Sequence, residues 1–81
     1  MKLSEAVAKR IRFLLNTKVK KTQYRLEKDI PMSHSTMMTI MGAKNDSLNL
    51  KSTFQIIRAL NVTVSEFFDD PMFEDLDLEI Y

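Results

Sequence analysis

Cysteine is absent from the chain, which removes disulfide staples and thiolate chemistry alike. The single histidine, His34, cannot build a multi-histidine metal site within one chain. One glycine and two prolines leave little material for hairpins or phosphate-cradling loops, and no Asn-Gly or Asp-Gly pair occurs. No long apolar run follows Met1-Lys2-Leu3-Ser4-Glu5, so neither a secretion signal nor a membrane span is expected. These absences predict an all-α, soluble, reduced, cytoplasmic protein. At 81 residues it is one domain's length, with only a modest core to stabilise it.

Charge is present but unevenly placed. Residues 1–60 hold all twelve basic side chains against four acids, a balance of +8. Residues 61–81 hold seven acids and no base, a balance of −7. Such a split suits either a polyanion-binding body with an acidic tail or two solvated faces without further meaning.

Helical spacing runs through most of the chain. Ser4 reads as an N-cap, with Glu5 in the first turn and Val7, Ile11 and Leu14 as the inward stripe. Lys9, Arg10 and Arg12 fall away from that stripe, and the pattern ends near Asn16-Thr17. A basic connector, Lys18 to Lys21, follows, with Val19 turned inward. Thr22 caps a second helix, Gln23 to Asp29, in which Leu26 and Ile30 face the core until Pro31 stops it. Ser33 caps a third helix, His34 to Met41, with Met37 and Ile40 on one face and Ser35, Met38 and Thr39 on others.

Gly42 is the expected left-handed residue closing that helix, and Ala43 to Leu48 is a polar loop. Asn49 caps a fourth helix whose stripe is Leu50, Phe54, Ile57 and Leu60. Thr63-Val64-Ser65-Glu66 is a capping box opening a short fifth helix that ends at Phe67-Phe68. The division is therefore a body over 1–70 and an acidic C-terminal tail over 71–81. In the tail Leu76, Leu78 and Ile80 alternate with Asp75, Asp77 and Glu79, the period of a strand. Such a strand has no partner in a helical chain. It can pair with its copy in a second subunit, pack on the body, or stay disordered.

A helix, a short turn and a second helix with a polar N-terminal end, here from about Thr22 to Met41, fit a DNA major groove. Thr22-Gln23-Tyr24-Arg25-Leu26, then Ser33-His34-Ser35-Thr36-Met37 and Ile40, resemble the helix-turn-helix of the Cro/CI-type (XRE) bacterial and phage regulators. The similarity extends to Arg10-Ile11-Arg12 and to Leu50 through Phe68, in particular Ile56 through Val62 followed by Ser65-Glu66-Phe67-Phe68. It covers roughly residues 4–68, and its combined spacing is more specific than any one segment. It implies a five-helix lambda-repressor-like DNA-binding domain. Two positions depart from the family's pattern. Glu27 stands where a small residue, often Ala, is usual, and Pro31 stands where the turn usually has Gly. Glu27 is expected either to turn outward or to pair with a base such as Arg12 or Lys28.

The resemblance also implies site residues. Gln23 matches a position that contacts the DNA backbone or an outer base, the alternative being a surface side chain without a partner. Ser33, His34 and Ser35 match the start of the recognition helix, where Ser33 can cap the helix and still meet a phosphate. His34 offers a neutral ring one donor and one acceptor, and no second ligand or nucleophile stands with it. Met38 and Thr39, one turn on, can pack on a thymine methyl, and Met38 can equally serve as a subunit contact. Lys44 and Asn45 match a phosphate-gripping loop, and Tyr24, Arg25, Lys20 and Lys21 can act likewise. No Arg or Lys lies between Ser33 and Met41, so the bidentate arginine–guanine contact is not on offer.

The function these residues predict is sequence-specific transcriptional regulation, as a repressor, by a homodimer on a two-fold operator in double-stranded DNA. The rival reading is an antitoxin or adaptor that binds a partner protein through the acidic tail. A third class, an enzyme, is the weakest reading and is not expected, since the sequence offers no Cys, triad, paired inward carboxylates or Gly-rich loop. No cofactor or metal is expected.

Overall fold

Lys2, in extended conformation, opens the first helix, α1 (Leu3–Leu14), and its N–H donates to Glu5 Oε1 at 3.0 Å. Ser4, expected as the cap, instead lies buried inside the first turn. The computed structural model describes residues 1–43 and 48–78, and among these the molecule is all-helical. The further helices are α2 (Gln23–Lys28), α3 (His34–Met41), α4 (Leu50–Ala59) and α5 (Val64–Phe67). None among the described residues is long and apolar enough to cross a membrane.

Past Leu14, α1 does not stop at Asn16-Thr17 but widens into a π-helical turn, Leu15–Val19. Lys20 closes it in the left-handed region at φ 52°, donating its N–H to the Leu15 carbonyl. The wider turn keeps Leu15 in the core and Val19 half-buried against it. Thr22, Ser33, Asn49 and Thr63 each accept the N–H three residues on, at 3.0–3.2 Å, capping α2 to α5 as the sequence predicts. Each cap satisfies one of the donors that a helix start leaves unpaired. Closure of α3 differs from expectation. Gly42 is right-handed at φ −84°, and the left-handed residue is Ala43 at φ 49°.

The core joins Val7, Ile11 and Leu14 of α1 to Leu26, Ile30, Met37, Ile40, Ile56, Ile57, Leu60 and Phe67. Phe67 is fully enclosed, which contributes about 2–3 kcal/mol by burial of a side chain of that size. In α4 the expected stripe is rotated. Thr53, Ile56 and Ile57 are buried, while Leu50 is 66% and Phe54 44% exposed. The inward row is therefore spaced by three and four from Thr53. Thr53 tolerates burial because its hydroxyl donates to the Asn49 carbonyl at 2.9 Å.

Arg10 also departs from expectation, since it points inward rather than away. It is 7% exposed, donating from Nε to the Phe67 carbonyl at 2.7 Å and from Nη2 to the Glu66 carbonyl at 2.8 Å. Its Nη1 lies 3.5 Å from Asp70 Oδ2. The strand expected beyond Asp70 does not form among the described residues. Asp70 caps a 3-10 turn, Pro71–Glu74, that sets the Phe73 ring against Phe68 at 5.0 Å and Phe67 at 6.1 Å. The Asp77 N–H then donates to the Met1 carbonyl at 2.7 Å, tying residues 71–78 to the start of α1.

Candidate nucleic-acid interface

Two short helices build the candidate surface. Thr22 fixes the entry of α2, and Ile30 and Leu26, both buried, anchor its inner side. The chain then turns through Pro31 and the half-buried Met32, whose N–H donates to the Ile30 carbonyl at 2.8 Å. Ser33 starts α3, with its Oγ also 2.9 Å from Thr36 Oγ1. Met37, Ile40 and Met41 hold α3 down, and the Met41 carbonyl accepts a hydrogen bond from Arg12 of α1. With three inner residues locked, the outer face is set.

That outer face carries the predicted residues. His34, Ser35, Met38 and Thr39 are all exposed, and at helical spacing they form one continuous arc. The Thr39 hydroxyl donates to the Ser35 carbonyl at 3.0 Å, which leaves its methyl and one acceptor face outward. Met38 is 41% exposed, and its sulfur accepts from Gln23 Nε2 at 3.8 Å, so the first residue of α2 is joined to the middle of α3. Gln23 is half-buried by this contact. Tyr24 stands 69% exposed on α2, with the Lys28 ammonium 5.2 Å from its ring centroid. Ser33 is committed as the cap and remains exposed. Lys44 and Asn45 lie outside the described residues.

The structure also brings in Glu27, with a partner that the sequence did not suggest. Glu27 Oε1 lies 2.7 Å from His34 Nδ1, across the turn between the helices. Neither expected partner is used. Arg12 is bonded to the Met41 carbonyl, and Lys28 sits over Tyr24. The spacing was the available signal. Glu27 is the penultimate residue of α2 and His34 is the first residue of α3, so a tight turn brings them face to face.

Charge surrounds this arc rather than occupying it. Lys9 and Arg12 of α1, together with Glu5, line a recess of about 170 Å³ with Met41 and Gly42, at the C-terminal end of α3. Near α2, Asp29 takes part of the positive charge, with Lys21 Nζ at 2.7 Å and Arg25 Nε at 3.6 Å. The Lys21 hydrogen bond, helped by the charges of Lys21 and Arg25, holds the Asp29 carboxyl below its ordinary value against a smaller effect of burial. Lys20 and Lys28 remain as exposed bases on this side.

Chemically, the arc offers an imidazole, two hydroxyls, a thioether and a methyl group to whatever it meets, flanked by ammonium and guanidinium groups. No protein-family model matches the chain, and neither a curated protein nor a solved structure matches it significantly.

Proposed function

We propose that this protein is a sequence-specific DNA-binding regulator of transcription, a repressor, that lays α3 in the major groove. In this reading the five helices form a lambda-repressor-like domain and α2–turn–α3 is its helix-turn-helix. The observation that carries it is the exposed, uncharged arc of Ser35, Met38 and Thr39 with His34 at its head, on a helix of eight residues pinned from beneath. A helix of that length presenting such groups fits a groove that admits one helix and displays donors, acceptors and thymine methyls. The flanking bases would meet phosphates, which position the protein without reading sequence. Arg10 is withdrawn from that role by its bonds to α5, and Lys21 and Arg25 share Asp29.

The active species is a homodimer on a two-fold operator. The exposed apolar face of Leu50, Phe54 and Val64 supports this, because a small helical protein gains by covering such a face. Selection of binding sites from random duplex DNA at low salt tests the reading. It should return paired half-sites with centres about ten base pairs apart. Affinity should fall with salt at a slope of about −4 to −5 in log K if about four to six phosphates are neutralised. His34→Ala should lose preference at one position in each half-site. No enrichment by the wild-type protein would shift the assignment to a protein-binding role for the acidic tail.

A further inference from the structure

The pairing of Glu27 with His34 makes a statement about the imidazole that no other contact on the surface makes. The His34 side chain is 73% exposed, while Glu27 is 18% exposed and sits beneath it. Only Nδ1 is engaged, at 2.7 Å from the carboxylate oxygen, and Nε2 has no hydrogen-bond partner among the described residues. A carboxylate can only accept, so the nitrogen facing it must carry the proton. In a neutral ring the other nitrogen is then a lone-pair acceptor, because the partner of one nitrogen decides the state of the other.

We propose that Glu27 is a positioning residue that holds His34 in its Nδ1–H tautomer and so makes Nε2 a hydrogen-bond acceptor aimed outward from the head of α3. Resting on the DNA-reading function above, this sets which bases His34 selects. An acceptor suits the amino donors of cytosine or adenine in the major groove. It is repelled by guanine, whose edge shows only acceptors, and by the thymine carbonyl. Glu27 itself does not touch the base. Its role is to fix the direction of one hydrogen bond through His34. The half-buried carboxylate is also free for this task, since Arg12 and Lys28 are occupied elsewhere.

The test has one arm without DNA and one with it. Long-range nitrogen–proton correlation spectra of the full chain, taken where the imidazole is neutral, report which ring nitrogen carries the proton. The expected result is protonated Nδ1 in the wild type and in Glu27→Gln, whose amide oxygen still accepts. Glu27→Ala should release the ring and move the proton largely to Nε2. Alanine is a good helix former, and an unchanged far-ultraviolet dichroism spectrum verifies that the variant is folded. Protonated Nε2 in the wild type, or a Glu27→Ala protein that is folded and still carries its proton on Nδ1, overturns the proposal whatever the protein does with DNA.

In the second arm, site selection with the wild type should favour an amino-bearing base at one half-site position by about tenfold, as one well-placed hydrogen bond allows. Glu27→Ala should flatten that preference while leaving the neighbouring positions selected, and Glu27→Gln should retain it. A preference for guanine or thymine at the His34-dependent position overturns the base-selection half. Failure of the wild type to select any sequence overturns the DNA-reading function and this half together, and leaves the tautomer to the spectra.

Discussion

Arg10 Nε donates to the carbonyl oxygen of Phe67 at 2.7 Å, joining residues 57 apart in sequence. The same guanidinium reaches the Glu66 carbonyl, so it satisfies two carbonyls at the end of a four-residue helix. A helix that short has no internal partners for its last carbonyls, and a guanidinium fork suits two acceptors at once. With Asp70 at 3.5 Å, the charge is balanced as well as bonded. Arg10 is thus the clamp between α1 and the chain's closing segment, and Phe67, enclosed beside it, fills the core below.

Arg10→Met should destabilise the fold by about 2–4 kcal/mol, because it strands the Phe67 carbonyl, leaves the Glu66 carbonyl only its backbone donor from Asp69, and keeps most of the apolar stem. Arg10→Lys should recover only part of the loss, since an ammonium cannot reproduce the fork. Urea unfolding followed by circular dichroism measures both. A loss below about 0.5 kcal/mol for Arg10→Met, the usual range of a surface change, would refute the clamp.

Acid should weaken the same region. The Lys18 hydrogen bond holds the Glu66 carboxyl below its ordinary value of 4.5, opposed by burial and reinforced by the charge of Lys18, the Thr63 backbone and Arg10. The folded value lies below the unfolded one, so the stabilisation is complete above about 4.5 and is lost as pH falls through the lower folded value. Asp29, held down by Lys21, adds the same sign from its ordinary value of 3.8. Carboxyl carbon titration by NMR should find both midpoints depressed. Lys18→Gln should return Glu66 towards 4.5 and leave Asp29 unmoved. Equal midpoints for Glu66 in the two proteins would disprove the coupling.

What could be read from the sequence was local. Thr22, Ser33, Asn49 and Thr63 were legible because a cap speaks only to the residue three further on. Leu26, Met37, Ile40 and Ile57 were legible because helical period depends on neighbours within two turns. The errors fall where a distant partner decides. Arg10 scans as a surface base until Phe67 arrives from 57 residues away. Leu50 and Phe54 scan as core until Thr53 satisfies its own hydroxyl and turns inward. Glu27 could be flagged as unusual, but its choice of His34 over Arg12 depends on where α1 and the end of α3 meet. The strand-like alternation forms no strand over Asp75 to Leu78, because no second strand exists among the described residues to pair with it, whereas Phe73 has aromatic neighbours to pack on.

If the proposed homodimer forms through α4 and α5, one charge should abolish it. Phe54 is 44% exposed and lies between Leu50 and Arg58 on an open recess of about 470 Å³. Phe54→Glu keeps a good helix former in place, and a half-exposed position should cost the isolated fold less than about 1 kcal/mol. Sedimentation velocity should find a concentration-dependent dimer for the wild type and a monomer for the variant. A wild type that stays monomeric at high concentration, or a variant that still dimerises, rules out this face.

The acidic segment after Asp70 raises a question of charge that truncation cannot answer cleanly. Removing residues 71–81 would take away Phe73, which packs on Phe67 and Phe68, and the Asp77–Met1 hydrogen bond. Any change in DNA affinity would then mix lost packing with lost charge. Glu74, Asp75 and Asp77 are exposed, so Glu74→Gln, Asp75→Asn and Asp77→Asn together remove three charges and keep the shape. If the segment opposes DNA electrostatically, the neutralised protein should bind about tenfold tighter at low salt. That gain should shrink as salt shortens the screening length to about 10 Å at 0.1 M. Unfolding midpoints should stay close, since these exposed charges have no ion partner among the described residues and such charges contribute little to the fold. An unchanged affinity at low salt would mean that the segment serves packing alone. The uneven charge of the chain would then be a property of its two ends and not a control on binding.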